Sequence, residues 1–230
     1  MGIAAPQLCA QGVEVSAKVL LRASSPSNDR KNHNSPSVEN VVLWLSPLKP
    51  GTTVPPSLAR QPLYRLVQKD KMFAPHLLVV PTGTSVQFPN EDPFFHNVFS
   101  LFNGKRFDLG LYESGTTRSV RFDREGVSYI FCNIHPEMGA VILAISTPYY
   151  GVSAKNGVVS IHNVPPGGYR LSVWSENGEP VDQTAGEQVI QVSSEPVSLG
   201  NITLQTTADA LARHENKFGQ DYKPSHDLHY

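Results

Sequence analysis

Residues 131–138 read Phe131-Cys132-Asn133-Ile134-His135-Pro136-Glu137-Met138. The run contains a thiol, an imidazole and a thioether with the spacing Cys-x2-His-x2-Met. An aromatic, β-prone run at 127–131 precedes it, and an apolar run at 139–145 follows it. A loop between two strands with these side chains offers the ligands of a mononuclear copper site, because soft sulfur suits Cu(I), imidazole binds both redox states and a weak thioether tunes the potential.

A second histidine is needed to complete such a site, and the run Phe94-Phe95-His96-Asn97-Val98 supplies one upstream. It lies just after an expected strand at 85–88. The hypothesis from the residues is therefore a site that combines His96 with the loop at 131–138.

Other uses of these side chains stay open on the residues alone. Zinc takes Cys and His readily in tetrahedral sites, but a thioether is a poor zinc ligand, so Met138 favours copper. A hydrolytic cysteine needs an activated thiol, but Cys132 and His135 share one tight loop with no helix N-terminus placed beside them. A disulfide between Cys9 and Cys132 would consume the thiol in the ligand-like context, and two cysteines alone make no disulfide framework.

Composition predicts an all-β protein. The 230 residues include 19 prolines and 17 glycines, which separate short runs rich in Val, Ile, Phe and Tyr, as in a chain with many turns. With 19 basic and 20 acidic residues, the chain lacks the basic footprint of a nucleic-acid binder. It contains no run of about 18 apolar residues, so we expect no membrane span.

Residues 66–146 resemble the cupredoxins, the blue copper proteins. The run 73–90 is similar to their opening pattern of a strand, a Gly turn and a strand that ends in Asn, and the pair His96-Asn97 follows it. Residues 115–132 resemble the approach to the copper cysteine, and the short Cys-x2-His-Pro-x-Met loop is most similar to that of amicyanin.

This resemblance implies a Greek-key β-sandwich that binds one copper ion. By it, His96, Cys132 and His135 are the three strong ligands and Met138 is the axial ligand. Multicopper oxidases, by contrast, flank the cysteine with two histidines, whereas the neighbours here are Phe131 and Asn133.

The flanking segments resemble a different domain. Residues 156–161 and 164–173 are similar to the transthyretin-like regulatory domain attached to carboxypeptidases, which begins with two strands of the kind expected at 13–21 and 41–45. We therefore expect the cupredoxin-like domain to be inserted into a second small β-sandwich. Pairing of 41–45 with 169–174 would distinguish this arrangement from one in which the first two strands extend the cupredoxin barrel.

The expected order along the chain is a disordered N terminus at 1–12, the first strands of the second sandwich and a linker at 13–62, the copper domain at 63–147, the rest of the second sandwich at 148–205, and a short helix with a flexible tail at 206–230. Within the copper domain we expect strands at 66–73 and 77–80, and mostly loop at 99–111. Thr207 would cap the helix and Gly219 would end it.

Residues around the ligands have expected supporting roles. Asn97 and Asn133 would tie the two ligand loops together, and the Asn97 N–H would donate to the cysteine sulfur and raise the potential. By the resemblance, an apolar patch of Pro93, Phe94 and Pro136 around His135, the histidine nearer the C terminus, is where partners dock. Turn asparagines and ordinary core packing are the alternatives.

We thus expect a protein that transfers single electrons between redox partner proteins through Cu(I) and Cu(II), and that is not an enzyme. Residues 1–12 lack the features of a signal peptide, so either the chain is cytosolic or a signal peptide was removed from it. Of the two, we expect a periplasmic or otherwise exported protein. Two alternatives come from other classes: a copper delivery or storage module, and a structural or carbohydrate-adhesion protein that uses the cupredoxin unit as a scaffold.

Overall fold

The computed structural model describes residues 12–22, 37–49, 62–101, 104–181, 188–207 and 216–220. Within these stretches the protein is all-β, as expected, and contains no helix, so none of the described segments is a helix that could cross a membrane. The chain divides into two compact units: the first contains Met1–Pro55 and Thr147–Asp209, and the second contains Pro56–Ser146 and Ala210–Tyr230.

The strands in the described residues, in chain order, are β1 (Val13–Arg22), β2 (Val42–Pro47), β3 (Tyr64–Arg65), β4 (Val67–Lys69), β5 (Met72–Ala74), β6 (Leu77–Pro81), β7 (Thr84–Pro89), β8 (His96–Ser100), β9 (Phe107–Tyr112), β10 (Thr117–Phe122), β11 (Gly126–Cys132), β12 (Gly139–Ile145), β13 (Tyr150–Val152), β14 (Val158–Val164), β15 (Gly167–Trp174), β16 (Gly178–Pro180), β17 (Val189–Val192) and β18 (Val197–Thr206).

The first unit is a sandwich of two four-stranded sheets, with the strand orders β14-β1-β18-β16 and β13-β2-β15-β17. Alternate residues of β1, namely Val15, Ala17 and Val19, are buried in its core, as the two-residue period of a strand requires. The other sheet contributes Leu45 of β2 and Leu171 of β15, which pair across the two strands. The core is therefore built from one apolar face of each sheet.

Strand β2 joins the N-terminal part of the chain to strands that come after the second unit. It pairs antiparallel with β15 from Val42 opposite Trp174 to Pro47 opposite Tyr169, and β1 pairs with β14 and β18. These pairings are those that the insertion arrangement needs, and the first two strands do not extend the sheets of the second unit. The likeness of this sandwich to a transthyretin-like domain stays a prediction.

The second unit contains a five-stranded sheet, β6-β12-β11-β8-β9, a three-stranded sheet, β10-β7-β3, and the two-stranded hairpin β4-β5. Phe88 and Phe122 of the smaller sheet share one buried core with Val98, Ile130 and Ile142 of the larger sheet. The pairs β6–β12 and β3–β7 are parallel. This arrangement confirms the expected β-sandwich and brings the ends of β8 and β11 to one edge of the unit.

Two local expectations were wrong. Residues 66–73, expected as one strand, contain the hairpin of β4 and β5, because Asp70 and Lys71 adopt φ of 54° and 55°, as the central residues of a type I′ turn do. Residues 99–111, expected as mostly loop, contain β9, which pairs with β8. At the hairpin the sequence lacks the usual signal, because Asp-Lys is not an Asn-Gly or Asp-Gly turn. In β9 the alternation of Phe107, Leu109 and Leu111 with Asp108 and Gly110 is a strand signal that our expectation overlooked.

The expected terminal segments fall mostly outside the described residues. Residues 1–11, 208–215 and 221–230 are among those not described, so the helix expected at Ala208, Leu211 and Ala212 stays a prediction. The last part of that helix, expected to include Phe218 and to end at Gly219, is absent from the described residues: 216–220 form a turn instead, in which Gly219 has a φ of 71°.

Candidate metal centre

Two neighbouring strands bring His96 and Cys132 together. His96 is the first residue of β8 and Cys132 is the last residue of β11, and these antiparallel strands pair Cys132 with Val98. The beginning of one antiparallel strand lies beside the end of its partner, so two side chains 36 positions apart in the sequence meet in space. Both residues are 0% exposed.

The loop that follows Cys132 adds the second imidazole. The Met138 N–H donates to the His135 carbonyl at 3.1 Å, and the Cys132 N–H donates to the Met138 carbonyl at 3.3 Å. These bonds close the loop into a tight turn between β11 and β12. His135 therefore lies on the same side as Cys132 and next to it.

Three donor atoms converge at this edge. Sγ of Cys132 lies 3.6 Å from Nδ1 of His96 and 3.7 Å from Nδ1 of His135, and the three donors all lie within 4.8 Å of one another. Metal–nitrogen bonds of about 2.0 Å and metal–thiolate bonds of about 2.3 Å, about 110–120° apart, place nitrogen and sulfur about 3.5–3.7 Å from each other. The observed thiol–imidazole distances are those that one shared ion requires.

Met138, the expected axial ligand, is buried in the core. It is 0% exposed and belongs to the same apolar cluster as Cys132. A cysteine, two histidines and a soft thioether form a donor set that suits copper. The structure thus brings His96, Cys132 and His135 together as a group that could hold a metal ion. Their role as ligands and the axial role of Met138 stay predictions.

The sulfur is held by backbone donors. The N–H groups of Asn97, Ile134 and His135 donate to Sγ of Cys132, and the first of these is the bond expected from the sequence. Burial nevertheless raises the pKa of the Cys132 thiol, which favours its neutral form. A cation bound at the site would act in the opposite direction and favour the thiolate. Burial, together with the neighbouring His96, lowers the pKa of His135, which keeps its imidazole neutral and able to act as a ligand.

A buried carboxylate that we did not expect lies behind His96. Oδ2 of Asp92 is 2.8 Å from Nε2 of His96. A carboxylate accepts, so the imidazole donates through Nε2–H, which leaves the lone pair on Nδ1, the atom that faces the sulfur. Asp92 also accepts from the N–H groups of Asp70 at 2.6 Å and Lys71 at 3.1 Å. The turn between β4 and β5 therefore fixes the carboxylate that orients a candidate ligand.

The protonation state of Asp92 follows from these contacts. Burial raises the pKa of this carboxyl, but the hydrogen bonds from His96, Lys71 and Asp70 outweigh burial and hold the pKa below its usual value. The side chain is therefore an anion at neutral pH. The only sequence signal for it was an acidic residue four positions before His96, which is a weak signal by itself.

The side chains of Asn97 and Asn133 form hydrogen bonds with two different residues. Nδ2 of Asn97 donates to Oδ1 of Asp108 at 2.6 Å, and Oδ1 of Asn133 accepts the N–H of Lys217 at 3.0 Å. The two residues meet through the backbone, because the Asn133 N–H donates to the Asn97 carbonyl at 3.2 Å. The loops are therefore tied together, but by more residues than we expected.

The expected docking patch surrounds the second imidazole. The Phe94 ring packs against both imidazoles, with centroid distances of 5.2 Å and 5.5 Å. Pro93 and Pro136 are exposed and His135 is half-buried, while Phe95 is 54% exposed. Phe94 thus serves as a cover for the site, and the use of this surface by a partner stays a prediction. Cys9 lies outside the described residues.

No protein-family model matches the sequence, and no curated protein matches it. Among solved structures, a purple cupredoxin from Nitrosopumilus maritimus is similar over 36% of this chain and 99% of its own, with 24% identity and a TM-score of 0.33. A Cu(I) form of an amicyanin variant is similar over 36% of this chain and 82% of its own, with 16% identity and a TM-score of 0.34.

A copper-containing nitrite reductase from Thermus scotoductus SA-01 is also similar, with 24% identity and a TM-score of 0.36. The match covers 44% of this chain but only 26% of that protein. These partial likenesses are to cupredoxin-type copper proteins, and each covers less than half of this chain.

Proposed function

We propose that this protein is a type 1 copper protein that carries single electrons between redox partner proteins. His96, Cys132 and His135 would hold one copper ion, with Met138 as the weak axial ligand. The observation that carries the proposal is the convergence of one thiol and two Nδ1 atoms at 3.6 and 3.7 Å in a buried position. When bound, copper supplies a one-electron couple between Cu(I) and Cu(II).

The surrounding residues would keep this donor set nearly unchanged in both oxidation states. Asp92 orients His96, and three backbone N–H groups hold the sulfur of Cys132. Phe94 packs over both imidazoles and limits the access of water. Because the fold holds each ligand, little has to move when the charge of the site changes by one, which favours rapid electron transfer.

Electron transfer is favoured over substrate turnover by the neighbours of Cys132. Phe131 and Asn133 occupy the positions where two histidines would be needed to pass electrons to a second copper centre. Four protein donors also leave no open coordination position for a substrate, unlike the sites of catalytic metals. We therefore propose that the protein is not an enzyme.

The route of the electron and the location of the protein belong to the same proposal. His135 is more exposed than the other two donors, so electrons would enter and leave through the patch of Pro93, Phe94 and Pro136 around it. We propose a periplasmic or otherwise exported location, on the resemblance of both units to exported domains.

The test is reconstitution of the purified protein with Cu(II), followed by the visible spectrum and reduction with ascorbate. An intense thiolate-to-copper band that bleaches on reduction and returns on reoxidation is the expected result. Tight Cu(I) binding without that band would replace the proposal with copper delivery or storage. No copper binding at all would replace it with a scaffold role in a structural or carbohydrate-adhesion protein.

A further inference from the structure

Lys217, in the described C-terminal residues 216–220, makes two hydrogen bonds to residues near the candidate metal centre, one through its backbone N–H and one through its side chain. The Lys217 N–H donates to Oδ1 of Asn133 at 3.0 Å. Nζ of Lys217 lies 2.8 Å from Oδ2 of Asp108, and the two side chains are 23% and 41% exposed. Asn133 directly follows Cys132, so this segment touches the residue next to the thiol ligand.

The contacts form a closed circuit around the two ligand strands. Asp108, which lies in β9, accepts from Nδ2 of Asn97 at 2.6 Å, and Asn97 directly follows His96. The circuit is completed by the backbone bond from the Asn133 N–H to the Asn97 carbonyl at 3.2 Å. Asn97, Asp108, Lys217 and Asn133 are therefore joined in a ring whose two asparagines each adjoin one ligand.

The turn at 216–220 prepares Lys217 for both contacts. Oδ1 of Asn216 accepts the N–H groups of Phe218 at 2.9 Å and Gln220 at 3.2 Å, and the backbones of Asn216 and Gln220 also bond at 2.8 Å. Gly219 adopts a φ of 71°, a value that glycine reaches without steric cost. A turn closed by its own hydrogen bonds can hold the Lys217 N–H and ammonium in fixed directions.

We propose that Lys217 is a positioning residue of the metal centre. Together with Asp108 it fixes the spacing of Asn97 and Asn133, and thereby of the ends of β8 and β11 that carry the ligands. This inference rests on the proposed copper site and adds a segment 84 positions away from Asn133 in the sequence to the apparatus that keeps the site rigid. An ordinary surface ion pair would instead contribute little and only to stability.

Charge and position make different predictions for single variants. Lys217→Met leaves the Asp108 carboxylate without its cation and lowers the reduction potential, because a nearby anion favours Cu(II). Asp108→Asn leaves the Lys217 cation and raises the potential. Loss of positioning, in contrast, acts in the same direction in both variants, because either change breaks the ring.

The experiment uses the full chain with Lys217→Met, Asp108→Asn and the double variant. Lys105→Met is a matched control, because Lys105 also forms an ion pair, with Asp123 at 2.9 Å, and its N–H also donates to a side chain, Ser128 Oγ at 2.8 Å. Two quantities are measured: the reduction potential of the copper-loaded protein, and the hydrogen exchange of the Asn97 and Asn133 amides in the metal-free protein.

We expect exchange at the Asn97 and Asn133 amides to be about three- to tenfold faster in both single variants, as loss of one network of this kind implies. The double variant should return the potential toward the wild-type value but should keep the faster exchange. Lys105→Met should change neither quantity. If Lys217→Met leaves exchange at these two amides the same as in Lys105→Met, the positioning role is wrong.

The exchange measurement does not need copper, so failure of the proposed function is separable from failure of this inference. A wild-type protein without the blue band, combined with faster exchange in Lys217→Met, would remove electron transfer and keep Lys217 as a residue that positions the ligand strands. A wild-type protein with the band, combined with unchanged exchange and potential in Lys217→Met, would keep electron transfer as the proposed function and would remove the positioning role of Lys217.

Discussion

Nε2 of His96 and Oδ2 of Asp92 lie 2.8 Å apart, and the two side chains are 0% and 4% exposed. A histidine whose second nitrogen is bonded to a buried carboxylate is held in one tautomer and one ring orientation, and it becomes a more basic ligand. The carboxylate is in turn fixed by the turn at Asp70 and Lys71. The candidate metal centre therefore depends on a hairpin that contributes no ligand.

Asp92→Asn should weaken copper binding by about 10- to 100-fold, the range found when partners of this kind are removed, and should raise the reduction potential. The amide has one acceptor oxygen, which cannot serve His96 and both backbone donors as the carboxylate does, and the variant also loses an anion that favours Cu(II). Competition with a chelator measures the affinity, and a redox titration measures the potential.

Glu91→Gln is the control for that change, because Glu91 is the adjacent carboxylate, is exposed, and pairs with Arg65 at 3.6 Å. Its affinity and potential should match those of the wild type. Equal behaviour of Asp92→Asn and Glu91→Gln would mean that the buried carboxylate does not act on the site.

Cys132→Ser should abolish the blue band, whereas Met138→Leu should keep it and raise the potential. The band needs a thiolate, and the weak axial thioether affects mainly the potential. Leucine nearly conserves the volume of this buried methionine, so the substitution costs less than about 1.5 kcal/mol of folding free energy. A visible spectrum and a redox titration of each variant are sufficient. A serine variant that kept the band would contradict the ligand assignment.

The ligand loop could be predicted because its evidence is local. Cys132, His135 and Met138 lie within seven residues, between two apolar runs that must be strands, and no tertiary information is needed to see them together. The pairing of β2 with β15 could also be anticipated, because each has a clear strand pattern and a resemblance linked them. Features whose evidence lies within one segment of the sequence could therefore be predicted.

The residues that support the ligands could not be predicted in the same way. Asp92 is close to His96 in the sequence, but only the fold shows that its carboxylate turns inward to Nε2. Lys217 is 84 positions from Asn133, and no spacing rule connects them. The hairpin turn was missed because Asp70 and Lys71 adopt positive φ although neither is a glycine. The strands on either side and the hydrogen bonds to Asp92 hold them in this conformation.

The stabilisation from Asp108 should depend on pH. Burial raises the pKa of this carboxyl, but hydrogen bonds from Lys217, Asn97 and Gly110 outweigh burial and hold the pKa below its usual value of 3.8. A pKa that is lower in the folded state gives stabilisation that is present above the unfolded value and is lost as the pH falls through the folded value. The contribution should be below about 1 kcal/mol, because the side chain is partly exposed.

Asp108→Asn tests this pH dependence. The unfolding free energy of the variant should be lower than that of the wild type at pH 7, and the difference should shrink as the pH falls below about 4. Urea titrations at several pH values, followed by a probe in the second unit, give the difference. A gap between the two proteins that stays constant down to pH 3 would exclude the carboxylate as its cause.

The two units should respond separately to core substitutions, because their buried clusters are distinct. Leu45 of the first unit and Ile142 of the second are both 0% exposed, and replacement of either by alanine costs about 2–5 kcal/mol. Both tryptophans, Trp44 and Trp174, lie in strands of the first unit, so tryptophan fluorescence follows that unit. The blue band of the copper-loaded protein would follow the other unit.

Leu45→Ala should therefore lower the urea midpoint seen by fluorescence and leave the midpoint of the blue band unchanged, and Ile142→Ala should do the opposite. The physical reason is that a cavity destabilises the core in which it forms, and two cores that share no buried residues lose stability independently. Equal shifts of both probes in both variants would mean that the chain unfolds as one cooperative body. That result would contradict the interpretation of the second unit as a separate domain inserted between β2 and β13.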